Sequence, residues 1–306
     1  MKYSNTQRMK IPIESQSLKR GTRLGFRFFE MSLRLFGLRG TYGLLYFVCL
    51  YYAVFDKPAI SSALPYIERR FPGCSFLRKR LHIYRLFISQ GKQLIDRYAA
   101  VMNPGLFDFQ LKGFKEFDRL METSPNGFIL LTSHVGNWQI AMMSMNKMEK
   151  TVCLLMNPED NSAVKNSLQI GHEKGDIRVI SPDGYLGGVV EIMNMLKQGH
   201  IVSIMGDRSY GAKTLDVMFM GEKAQFPYSG FAIAAAAECP MVILLAGKNA
   251  SDRYIVDVSN ILYPRYKGRR NKENQLRPWI ETFAEIIERF VDQYPYQCFL
   301  FYDIWN

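Results

Sequence analysis

The stretch GFILLTSHVGNWQ, residues 127–139, decides how the chain is read. Phe128 to Leu131 is an unbroken apolar run of strand length, and turn-forming residues follow it closely. A run that short and that apolar predicts a strand buried on both faces, as in a sheet covered by helices. Gly136 permits a tight turn, and Asn137 has the side chain of a good N-cap, so a helix is expected from about Asn137 to Met148.

Outward from this stretch the pattern repeats. Strands are expected at TVCLLM (151–156), DIRVI (176–180), HIVSIM (200–205), TLDVMFM (214–220), MVILLA (241–246) and RYIVDV (253–258). Helical segments fall between them: a polar one running to about Lys174, Leu186 to Gln198, and the Ala-rich Tyr228 to Glu238. A further amphipathic helix is expected over residues 277–293. Strands alternating with helices of this length predict an α/β fold with a largely parallel or mixed sheet flanked by helices. Residues 56–120, rich in helix formers and aromatics, read as a helical cap on one α/β domain spanning 56–306.

Within the opening stretch, His134 falls in the turn at the carboxyl end of a strand, where open α/β sheets commonly bind ligands. His134 and Gln139 would lie about 140° apart on a continuous helix and could not face each other. With a turn at Gly136-Asn137, Gln139 can point back from the first helical turn toward the histidine. The competing reading is a histidine satisfied structurally in its loop.

The five cysteines (49, 74, 153, 239, 298) and four histidines (82, 134, 172, 200) show no zinc-ligand spacing and no CxxC pair, so no metal site is expected. The cysteines read as free thiols in a reducing compartment. The formal net charge is +11, with nine basic side chains against two acidic ones in the first 40 residues. Such a surface suits anionic lipid, an acidic carrier or nucleic acid, but no nucleic-acid-binding signature is present.

Residues 1–21 form a basic tail, and residues 22–55 are expected to be helices that contact a membrane. In Thr22 to Phe36, Arg23, Arg27, Glu30 and Arg34 fall on one helical stripe, with Leu24, Phe28, Met31 and Leu35 to the other side, as in an interfacial helix. Gly40 to Phe55 is an uncharged run of 16 residues, short of the ~20 of a clean span. It reads either as a membrane-contacting segment with tyrosines at the interface or as a buried core helix.

HVGNWQ resembles the H-x4-D/E motif of the bacterial lipid A biosynthesis (late) acyltransferases, of lysophospholipid acyltransferase type. Other blocks are similar in order: Gly206-Asp207-Arg208; Phe219-Met220-Gly221 with Phe226-Pro227-Tyr228-Ser229-Gly230; Cys239-Pro240-Met241-Val242; and Pro295-Tyr296-Gln297 with Phe301 to Trp305. The resemblance spans nearly the whole chain. It implies transfer of a fatty acyl chain from acyl carrier protein or coenzyme A to a lipid or glycolipid acceptor, at the cytoplasmic face of the bacterial inner membrane. No cofactor is implied beyond that thioester co-substrate.

Under this resemblance His134 is the general base, oriented by Gln139, and Gly136, Asn137, Asp207, Arg208, Gly221, Ser229 and Gly230 are substrate-binding candidates. Backbone N–H groups near Gly136 are candidate oxyanion donors. Arg208 is expected to hold a phosphate, and Asp207 to orient Arg208 or the acceptor. The sequence departs from the family at Gln139, where a carboxylate is expected, and in residues 157–175, which carry Lys165 and Lys174 but no arginine. Gln139 cannot stabilise an imidazolium with a full charge, which motivates the first of two alternatives to acyl transfer; the second uses the same His134 with water as acceptor. The first is a weak or inactive homologue that binds lipid or acyl carrier; the second is an acyl thioesterase.

Overall fold

The computed structural model describes residues 23–144, 150–156, 177–182, 188–209, 213–268 and 270–306. The basic tail and the expected polar helix before residue 176, with Lys165, His172 and Lys174, lie outside the described residues.

Three helices lead: α1 (Arg23–Phe55), α2 (Lys57–Arg70) and α3 (Phe76–Met102). Helix α1 is interrupted at Gly37, whose backbone (φ 64°, ψ −173°) leaves helical geometry, so its amphipathic and apolar portions are separate segments of one element. Asp56 starts α2 by accepting the N–H of Ala59. The expected helical cap ends earlier than residue 120. Strand β1 (Asp108–Lys112) follows α3, and only then α4 (Phe114–Thr123).

The α/β body comprises β2 (Phe128–Thr132), α5 (Trp138–Ser144), β3 (Val152–Leu155), β4 (Ile177–Ile180), α6 (Val189–Lys197), β5 (Ile201–Met205), β6 (Thr214–Phe219), β7 (Glu222–Pro227), α7 (Ser229–Ala236), β8 (Met241–Ile243), β9 (Leu245–Lys248), β10 (Arg253–Asp257), β11 (Ile261–Leu262) and α8 (Lys272–Gln293). Among the described residues the main sheet has the order β11-β8-β2-β5-β3-β4. All its pairs are parallel except β11 with β8. A second sheet, β1-β10-β9, is joined to it through Leu244, whose N–H still reaches Leu131 of β2. Strands β6 and β7 form an antiparallel hairpin.

Strand β2 is buried at every position and lies between β8 and β5, which accounts for its unbroken apolar sequence. Helices α7 and α8 close over it: a Cβ placed on Gly230 would lie 3.6 Å from Ile204 and 3.9 Å from Leu131, and Phe283 meets Phe226 and Phe231 edge to face. The final helix begins at Lys272, before the expected start, and Pro278 lies inside it.

Candidate active site

The register of the central strands builds the site. β2 and β5 run parallel with Thr132 opposite Met205, an offset of 73 residues, and the same offset relates His134 to Asp207. Both residues therefore emerge at the carboxyl edge of the sheet, two positions beyond their strands. His134 Nδ1 lies 2.9 Å from Asp207 Oδ1, and the His134 backbone N–H donates to Asp207 Oδ2. Asp207 is 1% exposed and His134 20% by side chain, so the carboxylate is enclosed and the imidazole reaches the surface.

Burial alone would raise the Asp207 carboxyl. The charge and hydrogen bond of His134, with Arg208 and the His134 N–H, outweigh it and hold the group below the usual carboxylate range. An ionised carboxylate only accepts, so the shared proton resides on Nδ1. In that tautomer the ring's proton-accepting lone pair is on Nε2.

Gln139 does not take the role expected of it. It is buried in the first turn of α5, and no hydrogen bond among the described residues joins it to His134, whose Nδ1 is taken by Asp207. The carboxylate missing from the fifth position after the histidine is supplied by the neighbouring strand.

The turn itself is fixed from several sides. Gly136 has φ 70°, and a Cβ there would come within 2.3 Å of the Ala246 carbonyl. Its N–H donates to Gln297 O at 2.7 Å, and the Asn137 N–H donates to Ala246 O at 2.9 Å. Those two N–H groups are consumed by the fold, contrary to the expectation that they await an oxyanion. Asn137 caps α5, its side-chain oxygen accepting from Ile140 N–H at 3.4 Å, while its Nδ2 donates to Gln93 O at 3.1 Å. The C-terminal segment runs alongside: Phe299 N–H donates to His134 O at 2.7 Å, and Arg208 donates to Phe299 O at 3.1 Å. The Nε of Arg208 is buried with no hydrogen-bond partner among the described residues.

Behind the turn lies a buried polar cluster that sequence reading did not single out. Asp96 of α3 is fully buried, pairs with Lys248 Nζ at 2.6 Å, and accepts from the hydroxyls of Tyr42 and Tyr254. Burial lifts the Asp96 carboxyl above its ordinary range against the pull of Lys248, and lowers Lys248 against the pull of Asp96. Gln297 binds both the N–H and the C=O of Lys248 at 2.8 Å and accepts from Gln93 at 2.9 Å. Asp96 and Gln93, one turn apart on α3, thus brace the strand and the C-terminal segment that grip the His134 turn.

The remaining sequence candidates have structural placements. Gly221 lies in the β6–β7 turn, Ser229 is exposed at the start of α7, and Gly230 packs that helix on the sheet. No hydrogen bond among the described residues links them to His134 or Asp207.

A match to the bacterial lipid A biosynthesis acyltransferase family covers residues 27–306. The chain belongs to that family. It is therefore an acyltransferase. No match was found among curated proteins.

Proposed function

We propose that this acyltransferase moves a fatty acyl chain from an acyl thioester, on acyl carrier protein or coenzyme A, to a hydroxyl or amine of a lipid or glycolipid. The reaction takes place at the cytoplasmic face of the bacterial inner membrane. The observation that carries the mechanism is the His134–Asp207 pair at the carboxyl edge of the sheet.

In the reaction, Nε2 of His134 takes the proton of the acceptor hydroxyl or amine as its oxygen or nitrogen attacks the thioester carbonyl. The ionised Asp207 keeps the proton on Nδ1 and stabilises the imidazolium that forms. Collapse of the tetrahedral intermediate breaks the C–S bond, and the imidazolium proton goes to the departing thiolate. The products are an ester or amide and a free thiol. Arg208, whose buried Nε has no partner among the described residues, is the group we assign to a phosphate of donor or acceptor. Gly136 and Asn137 shape the turn rather than touch substrate.

The inactive lipid-binding alternative rested on Gln139, and a carboxylate at His134 weakens it. The thioesterase alternative differs only in using water as acceptor. Lipid mass spectrometry of cells with and without the protein separates them: acyl transfer adds one acyl chain to a lipid, whereas a thioesterase releases free fatty acid and leaves the lipids unaltered.

A further inference from the structure

Among the described residues one helix is long and apolar enough to cross a membrane, over Arg27–Phe55, and 28% of its most apolar window is buried within the protein. After the break at Gly37, Leu38 to Phe55 would be about 27 Å long at 1.5 Å per residue, close to the ~30 Å of a hydrocarbon core. One face of this segment, however, is spoken for along its length. Tyr42, Leu45, Cys49 and Ala53 are buried at spacings of three and four, which is one helical stripe. They face α3, and the approach is close: a Cβ at Gly91 of α3 would come within 2.6 Å of Leu45 Cδ1.

Helix α3 is not a helix that hydrocarbon could hold. Lys92 donates to Tyr46 Oη at 3.0 Å, Tyr84 donates to Tyr46 O at 3.2 Å, and Arg80 donates to Ala53 O at 3.2 Å. Tyr42 reaches Asp96. Carrying the segment across a bilayer would either strip it from these partners or draw Lys92, Asp96 and Arg80 into the membrane core with it.

The opposite face is apolar and open. Phe47, 75% exposed, continues into Leu50, Tyr51, Val54 and Phe55 at helical spacing. At the start of α3, Phe76 and Leu77 are also exposed, Leu77 to 78%, with Leu81 one turn on. The Arg80 bond to Ala53 holds this end of α3 against the end of α1. Arg78 and Arg80 accompany the apolar side chains, Arg80 stacked over the Phe76 ring at 5.1 Å. Apolar side chains flanked by arginines are the composition that seats in an anionic lipid surface.

We infer that α1 does not span the bilayer: it lies in one leaflet of an anionic phospholipid membrane, and the start of α3 enters the same leaflet beside it. This deepens the membrane placement proposed above and is independent of the acyl chemistry. Both ends of α1 and the α/β body then lie on the same side of the membrane.

Two measurements on the full-length protein test it. In a Cys74→Ser background, single cysteines are introduced by Arg34→Cys, before the apolar segment, and by Lys223→Cys, on the β6–β7 hairpin. Sealed vesicles carrying the protein are treated with a membrane-impermeant maleimide. Both sites should label from the same side; labelling of the Arg34→Cys variant only after permeabilisation, while the Lys223→Cys variant labels before, overturns the inference. The second measurement is flotation with phosphatidylglycerol–phosphatidylethanolamine vesicles. Leu77→Glu, at a position that packs on nothing in the core, should reduce the floated fraction at least fivefold with an unchanged circular dichroism spectrum. Flotation equal to wild type overturns the part assigned to α3. Neither readout depends on turnover, so a protein that labels and floats as expected yet transfers no acyl group refutes the catalytic proposal alone.

Discussion

Replacing Asp207 by asparagine isolates the pair on which the proposed mechanism rests. One carboxylate oxygen accepts the His134 backbone N–H and the other faces Nδ1 at 2.9 Å. An asparagine has a single acceptor oxygen. The backbone N–H can only donate, so that oxygen must face it, which turns the amide NH2 toward Nδ1. Nδ1 must then accept, the ring proton moves to Nε2, and the atom that should take the acceptor's proton already carries one. The same carboxylate-to-amide change in the serine-protease template costs about 10⁴ in rate through the wrong tautomer. Loss of the negative charge beside the imidazolium acts in the same direction. Asp207→Asn should lower kcat by about 10³ to 10⁴, or roughly 4–5.5 kcal/mol of barrier. KM for the thioester should stay within about threefold, because the change acts in the transition state. Steady-state transfer from a radiolabelled acyl thioester measures both. A variant within tenfold of wild-type kcat would refute the role given to Asp207. The same substitution has a signature in stability. The folded-state carboxyl is held below its ordinary value, so its contribution is present above the ordinary aspartate range and lost as pH falls through the depressed value. Asp207→Asn should therefore lose part of the acid-side fall in melting temperature.

Gln139→Ala should keep kcat within about tenfold of wild type, because the glutamine makes no hydrogen bond to His134; a loss matching that of Asp207→Asn would return the orienting role to Gln139. Asp96→Asn leaves the Lys248 ammonium buried without its charge partner and should cost about 3 kcal/mol, whereas Asp96→Asn with Lys248→Met should be more stable than the single Asp96 variant in urea unfolding. A double variant less stable than that single one would contradict the pairing. Burial pushes the thiols of Cys153 and Cys239 up to about 11, so iodoacetamide at neutral pH should modify the half-exposed Cys74 and spare those two until the protein is unfolded, as peptide mass spectrometry would report.

The central strands were legible in the sequence because burial on both faces leaves an unmistakable apolar run, as in Phe128 to Leu131. The turn after them was legible too: Gly136 adopts the positive φ and Asn137 the cap that their chemistry favours. The partner of His134 was not, because it depends on sheet order. Strands β3 and β4 lie between β2 and β5 in the chain, yet β5 pairs with β2 in space, and no spacing along the sequence reveals that. The Gly206-Asp207 block directly after an apolar run is the available signal, but nothing in it distinguishes a carboxylate that faces substrate from one that faces the histidine. Strand β7 carries exposed Glu222, Lys223 and Gln225, so its pattern resembles a loop until β6 pairs with it. The Asp96–Lys248 cluster joins residues 152 positions apart, each ordinary in its own segment. The oxyanion expectation at Gly136 failed because the carbonyls of Gln297 and Ala246, also remote in sequence, take those N–H groups.

The measurement that bears most directly on acyl transfer with His134 as base compares wild type with His134→Ala in single-turnover reactions on vesicles, with an acyl-carrier-protein thioester as donor and lipid extract as acceptor. Product lipid is followed by mass spectrometry, and circular dichroism and flotation confirm folding and membrane binding in both proteins. Wild type should add one acyl chain, and His134→Ala should react at least about 10³-fold more slowly, within the combined scale of base and orientation effects. Transfer by His134→Ala at the wild-type rate would contradict His134 as the base.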